Sequence, residues 1–177
     1  SMPVGTTIQY LAVDEDGKGY SGKVTVDQDG NATKSALSAP KGNGVIDWNK
    51  WAETKATEAI IHIFPNGYCY EYIKKSSWGI TTKTVYDFYQ FKGTYQFSSN
   101  TPNNVRVFFH AGSIDARFDN VSTTRKSNDS YPIIFVNSMA DVTMDMSGKN
   151  AFYTDVGFGT FNMPPIRVDG KLAMKGS

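Results

Sequence analysis

Apolar and polar residues alternate along many short segments of this chain, a pattern that indicates half-buried β-strands. The alternation is clearest in residues 85–97, where tyrosine and phenylalanine on one side oppose glutamine, lysine and threonine on the other. Roughly ten to twelve such segments occur, most of them separated by turns that contain glycine, proline or asparagine. One polar, aperiodic segment, residues 119–130, predicts a mobile loop instead.

One further segment has the spacing of a helix. Asp47 is a suitable N-cap for residues 48–56, and Trp48 and Trp51 fall on one side at helical spacing. The fold class that follows is all-β: an antiparallel β-barrel or a two-sheet sandwich with one short helix, built as a single domain over residues 1–177. No repeat of fixed period is visible, so a propeller or a solenoid is not expected.

The turn at residues 64–67 joins two strongly patterned strands. Its sequence, Phe-Pro-Asn-Gly, suits a three-residue hairpin with Pro65 starting a type I turn and Gly67 in a left-handed bulge. A two-residue turn at Asn66 and Gly67 is less suitable, because it would require a hydrogen bond from Pro65, which has no N–H. The preferred register predicts the cross-strand pairs Phe64–Tyr68, His62–Tyr70 and Ile60–Tyr72.

This register gives the hairpin two unlike faces. One is aliphatic and carries Cys69, which predicts an inert, buried thiol. The other is aromatic with polar tips, and such a surface can stack on sugars or on planar apolar ligands. Packing in the interior of a barrel is the competing interpretation, since strands are rich in the same residues. The predicted ligand-binding residues are His62, Tyr68, Tyr70, Tyr72 and, from the next connection, Trp78.

Composition and charge limit the partners of the chain. Its 177 residues carry a formal net charge of +1, so no strong field draws it toward nucleic acid or an anionic membrane. No apolar run approaches the about 20 residues of a membrane span. Cys69 is the single cysteine, which excludes an internal disulfide and leaves the compartment open, an extracellular or cell-surface location included.

Signatures of catalysis and of metal or cofactor binding are missing from the sequence. The two histidines, His62 and His110, cannot form a three-histidine metal site, and the Asp-x-Asp-Gly loops at residues 14–17 and 27–30 lack the ligands of a calcium loop. No nucleophile motif or phosphate-binding glycine pattern occurs. We therefore predict no catalytic residue, metal or cofactor, although two facing carboxylates would suffice for a glycosidase.

The hairpin Asn66-Gly67-Tyr68 and the strand motif Lys92-Gly93-Thr94-Tyr95 resemble those of lipocalin-like barrels in architecture. The Gly-x-Trp opening of lipocalins is missing, since Ile46-Asp47 precedes Trp48, and no residue role is carried over. The first hypothesis is a non-enzymatic, lectin-like or lipocalin-like domain that binds a carbohydrate or a small amphipathic molecule through its aromatic face. The second is a structural or adhesion component of a larger assembly, such as a viral tail or a cell surface, with a homo-oligomer as the expected state. A hydrolase with paired carboxylates is the third.

Overall fold

The all-β class with one short helix is confirmed. The computed structural model describes residues 3–13, 19–34, 40–85, 88–126, 131–155 and 164–176, which include fourteen strands and one helix. The strands are β1 (Thr7–Val13), β2 (Gly19–Val26), β3 (Ala32–Lys34), β4 (Glu58–Phe64), β5 (Gly67–Lys75), β6 (Thr81–Val85), β7 (Tyr89–Gln90), β8 (Thr94–Phe97), β9 (Val105–Asp119), β10 (Ser122–Arg125), β11 (Ile134–Ser147), β12 (Ala151–Thr154), β13 (Ile166–Val168) and β14 (Lys171–Gly176). The helix α1 spans Lys50–Thr54.

The strands form three sheets. β1, β2 and β3 make an antiparallel sheet of their own, and β10 and β12 make a two-stranded sheet. The nine-stranded main sheet has the order β13-β11-β9-β4-β5-β6, with β7, β8 and β14 paired to β5, β9 and β11. The two-stranded sheet packs Phe152 of β12 against Phe118 of β9, in a sandwich-like arrangement. In the described residues the main sheet ends at β13 and β6 and does not close into a barrel.

The direction of pairing differs from the antiparallel expectation in the C-terminal half. β9 is parallel to β4, β8 and β11, and β11 is parallel to β13 and β14. β10 and β12 are also parallel. The segment β11–β12 therefore runs alongside the segment β9–β10, strand beside equivalent strand, as a second turn next to the first. Such stacked turns are a solenoid-type arrangement, which the sequence did not predict.

Equivalent corners of these two turns use the residue types that tolerate a left-handed backbone. Asn120, between β9 and β10, has φ 52°, and Gly148, between β11 and β12, has φ 68°. The Asn120 amide donates to Ser147 O at 3.1 Å, and the Val121 amide donates to Asn150 Oδ1 at 2.9 Å. The corners are therefore bonded to each other as well as stacked.

The segment 119–130 is mostly ordered structure, so the mobile-loop expectation is wrong for its described part. Ser122–Arg125 form β10, and Val121, Thr123 and Arg125 are buried. The polar side chains misled the prediction because they bond to backbone: Thr123 Oγ1, for example, donates to Pro102 O at 2.8 Å. Residues 127–130 lie outside the described residues.

The hairpin register predicted from the turn is wrong. β4 and β5 pair Phe64 with Gly67, His62 with Cys69 and Ile63 with Tyr68, so the turn has two central residues, Pro65 and Asn66. Neither Asn66 nor Gly67 has a positive φ. Gly67 is required for close packing instead, since a Cβ at that position would overlap the ring of Phe88. The one-residue shift moves every side chain of one strand to the opposite face relative to the other strand.

The helix is shorter than predicted and starts later. Asn49 is its N-cap position, and Asp47 Oδ1 accepts the amide hydrogen of Asn49 at 2.9 Å in the preceding turn. Trp48 is buried just before the helix and meets Tyr70 edge to face, and Trp51 packs similarly on Tyr72. The segment therefore covers the tyrosines of β5 with its two tryptophans.

Candidate functional site

The β4–β5 hairpin carries a cavity on each of its faces. The inner face, which joins the main core, carries Tyr68, Tyr70 and Tyr72 of β5 with Ile61 of β4. The outer face carries His62 and Glu71. The predicted site therefore does not exist as one surface: the histidine and the three tyrosines lie on opposite sides of the sheet.

The cavity on the outer face, called the polar cleft below, has a volume of about 500 Å³. That size is within the range of about 300–1,000 Å³ common to small-ligand sites. Its floor is formed by neighbouring strands of the main sheet, and its walls mix aromatic, cationic and carboxylate side chains. The lining residues are Glu58, Ile60, His62, Glu71, Ile73, Lys75, Thr81, Lys83, Arg106, Val107, Phe108, Tyr131, Pro132, Phe135 and Arg167.

Three titratable groups form a hydrogen-bonded chain beside the cleft. His62 Nε2 lies 2.7 Å from Glu71 Oε2, and His62 Nδ1 lies 2.8 Å from His110 Nε2. The parallel pairing of β4 with β9 places His62 opposite Phe108 and brings His110 within reach. His110 in turn is stacked between Phe64 and Phe108, with ring centroids 4.3 and 4.0 Å away.

The charge state of Glu71 sets the direction of these hydrogen bonds. The hydrogen bond from His62 is the main cause that holds the pKa of Glu71 below its usual value, and Lys83 and Arg106 add to it, against the opposing effect of burial. A carboxylate only accepts, so His62 donates from Nε2 to Glu71. With both rings neutral, His62 Nδ1 then accepts the Nε2 hydrogen of His110. Glu71 is thus a fixed acceptor at the edge of the cleft.

His110 is kept neutral by its surroundings. Burial between two phenylalanine rings, and secondly repulsion from His62, lower its pKa from 6.5 to about 4. The hydrogen bond between the two rings excludes only a proton on both facing nitrogens at once, because His110 Nε2–H would then meet His62 Nδ1–H. His110 therefore orients His62 and does not itself line the cleft.

Two arginines of the cleft are stacked on aromatic rings. The guanidinium of Arg106 lies 4.5 Å from the ring centroid of Tyr131, and that of Arg167 lies 5.5 Å from the centroid of Phe135. Such stacking restricts a flexible side chain. Arg167 also donates to Asp169, whereas the N–H groups of Arg106 have no partner among the described residues. The cleft therefore presents the donors of Arg106, held in position next to an aromatic ring.

The cavity on the inner face, called the tyrosine cavity, has a volume of about 550 Å³. Its tyrosines are nearly inaccessible: Tyr68 and Tyr72 are 4% exposed and Tyr70 is 8% exposed. Their rings contact one another, with Tyr70 and Tyr72 stacked at 6.1 Å. Burial raises the pKa values of Tyr68 and Tyr70, and the Tyr70 hydroxyl accepts the amide hydrogen of Asp47 at 2.7 Å. These rings offer edges rather than free faces to a ligand.

Trp78 is separate from both cavities. It lies at the tip of the β5–β6 hairpin, is 89% exposed and lines neither cavity. The tip is closed by a tight turn in which the Ser76 amide donates to Ile80 O at 2.9 Å. Cys69 is buried on the outer face and burial raises its pKa to about 12, so its thiol is protonated at neutral pH.

The residues that sequence reasoning missed are those brought in by long-range pairing. Glu71 could have been placed beside His62 from the alternation of β4 and β5, had the turn length been chosen correctly. His110 and Arg106 lie on β9, and nothing local indicates that β9 pairs with β4. Across the described ranges, no group of three or more histidine, cysteine or acidic residues is arranged to hold a metal ion. No helix in the described part of the chain has the length and apolar character needed to cross a membrane.

No protein-family model matches the chain, and neither a curated protein nor a solved structure is significantly similar to it. The polar cleft is the better candidate, because it combines accessible rings with unshared donors and a fixed acceptor.

Proposed function

We propose that this chain is a carbohydrate-binding domain whose site is the polar cleft. The observation that carries the proposal is the presence, in one cleft, of aromatic rings with stacked arginines and of the oriented carboxylate of Glu71. Sugars present apolar C–H faces that pack on aromatic rings, and hydroxyls that need both donors and acceptors. The tyrosine cavity supports the proposal less, because its rings are covered.

Binding is favoured over hydrolysis by the state of the two carboxylates. A glycosidase needs one carboxyl group with a raised pKa to act as general acid. Glu71 has a lowered pKa and is bonded to His62, and Glu58 is bonded to Lys75 Nζ at 3.0 Å. The lowered pKa of Glu71 is the opposite of what a general acid requires, and the carboxylate of Glu58 is engaged by Lys75.

Replacing Tyr131 by alanine tests the proposal. Tyr131 is 56% exposed, so its removal leaves the core intact, but it takes away both a stacking surface and the support of Arg106. We expect the affinity for a saccharide found by glycan-array screening to fall about tenfold, measured by titration calorimetry. Tyr153→Ala is the matched control, since Tyr153 is 59% exposed on β12, outside the cleft. The proposal is wrong if no saccharide binds or if both variants lose affinity equally.

A second candidate function, a component of an assembly of copies of this chain, is favoured by the edge strand β14. Among the described residues β14 pairs on one side with β11. Met174 of β14 is 53% exposed, and Val168 of β13, which also pairs with β11, is 41% exposed. An edge strand with exposed apolar side chains is a template for pairing with another chain.

A charge at this edge separates the two candidates. If the edge forms an interface, the wild-type chain is an oligomer by light scattering coupled to size-exclusion chromatography, and Met174→Lys shifts it to a monomer. Tyr153→Lys is the control, because Tyr153 is 59% exposed on β12, which belongs to the separate two-stranded sheet. A monomeric wild-type chain would contradict the assembly candidate and leave the binding proposal untouched.

A further inference from the structure

The polar cleft contains positive charge that the protein itself does not neutralise. Four cations line it, but Lys75 is paired with Glu58 at 3.0 Å. Arg167 likewise donates from Nε and Nη2 to the two carboxylate oxygens of Asp169, at 3.0 and 3.1 Å. These contacts account for two of the four charges. The remaining two belong to Arg106 and Lys83 and face the single carboxylate of Glu71, so one positive charge is left in excess.

Arg106 and Lys83 form no ion pair with a described residue. Both cations lower the pKa of Glu71 electrostatically, but Glu71 Oε2 already accepts a hydrogen bond from His62. Arg106 is partly buried and stacked on Tyr131, so its guanidinium is held in place without a carboxylate partner. An oriented, unshared guanidinium is suited to bidentate recognition of a carboxylate or a sulfate group.

The same cleft also contains an acceptor, the carboxylate of Glu71, that a ligand can bind only by donating a hydrogen bond. Glu71 is a carboxylate with one oxygen engaged by His62, and a carboxylate accepts only. An isolated inorganic anion would be repelled by Glu71, whereas a saccharide can offer a hydroxyl to Glu71 and an anionic substituent to the cations. The two requirements are met together by an acidic sugar.

We infer that the polar cleft binds an anionic saccharide, with Arg106 and Lys83 holding its carboxylate or sulfate group and Glu71 accepting from a hydroxyl. This inference rests on the proposed function and names its ligand class. Arg106 acts as the specificity-determining residue, because a neutral sugar bound in the cleft leaves the charge of Arg106 without a partner. Lys83 is exposed and contributes a screened attraction.

The test compares matched oligosaccharides by titration calorimetry: a uronate oligosaccharide, its carboxyl-reduced neutral form, and a sulfated form of the neutral sugar. We expect the wild-type chain to bind at least one of the two anionic forms about tenfold or more tightly than the neutral form. Preference for the uronate or for the sulfated form identifies which anion the cleft takes. Raising the salt concentration should narrow the difference.

Arg106→Gln should abolish the preference, bringing the affinity for the preferred anionic form down to that for the neutral form. Arg117→Gln is the control on the same strand, since Arg117 is exposed, lies outside the cleft and should leave the preference unchanged. If the neutral form binds as well as the anionic forms and Tyr131→Ala still weakens it, the anion inference is overturned and the proposed function stands. If none of the three forms and no other saccharide binds, both are overturned.

Discussion

Replacing Phe118 by alanine lowers the free energy of unfolding by about 3–5 kcal/mol, the largest loss that we expect from a single change in this chain. Phe118 is 1% exposed and lies between two sheets. Its ring stacks on Phe97 with centroids 4.5 Å apart and meets Phe152 edge to face at 5.8 Å. Alanine would leave a cavity between β8, β9 and β12, and filling it would require all three strands to move.

Urea denaturation monitored by circular dichroism measures this loss. Phe118→Leu keeps most of the buried volume and should cost clearly less, and Tyr153→Ala, at an exposed position of β12, should change stability by no more than about 0.5 kcal/mol. A Phe118→Ala variant as stable as Tyr153→Ala would show that the two-stranded sheet does not pack on β9.

Acidification should destabilise the fold by about 2 kcal/mol through His110 alone. Its pKa falls from 6.5 to about 4 on folding, so the unfolded chain binds a proton between these values and the folded chain does not. The stabilising contribution is complete above pH 6.5 and is lost as the pH falls to about 4. The full pKa change would correspond to about 3 kcal/mol, reduced here because the ring is partly exposed.

Glu71 extends the effect to lower pH. Its pKa is lowered in the fold from 4.5, mainly by the hydrogen bond from His62, so its contribution is present above pH 4.5 and is lost as the carboxylate is protonated. The variant His110→Phe distinguishes the pH range of His110 from that of Glu71. It keeps an aromatic ring stacked between Phe64 and Phe108 but removes the titrating group. Denaturation at a series of pH values should show a shallower dependence between pH 6.5 and 4 for this variant. Equal slopes for wild type and variant would refute the assignment to His110.

The chemistry of the polar cleft was only partly accessible from sequence. His62 was predicted as a ligand-binding residue among tyrosines, and the structure places it instead with Glu71 and His110 on the outer face. The error came from one residue in the turn, because a strand side chain changes face with every step. Gly67 suggested a left-handed bulge, but the position needs glycine because a Cβ would overlap the ring of Phe88. Phe88 is too far along the chain for a local turn pattern to include it.

Local pattern by itself determined the all-β class, the positions of many strands and the short helix with its tryptophans, since alternation and turn chemistry act over a few residues. Tertiary structure alone decided which strands are neighbours. β11 pairs Ile134 with Val107 on one side and with Ile166 on the other, 27 and 32 residues away, an unequal spacing that no fixed repeat would display. The parallel pairing of β4 with β9 brings His110 and Arg106 close to His62. Such long-range pairing depends on burial of the whole sheet, which local sequence does not encode.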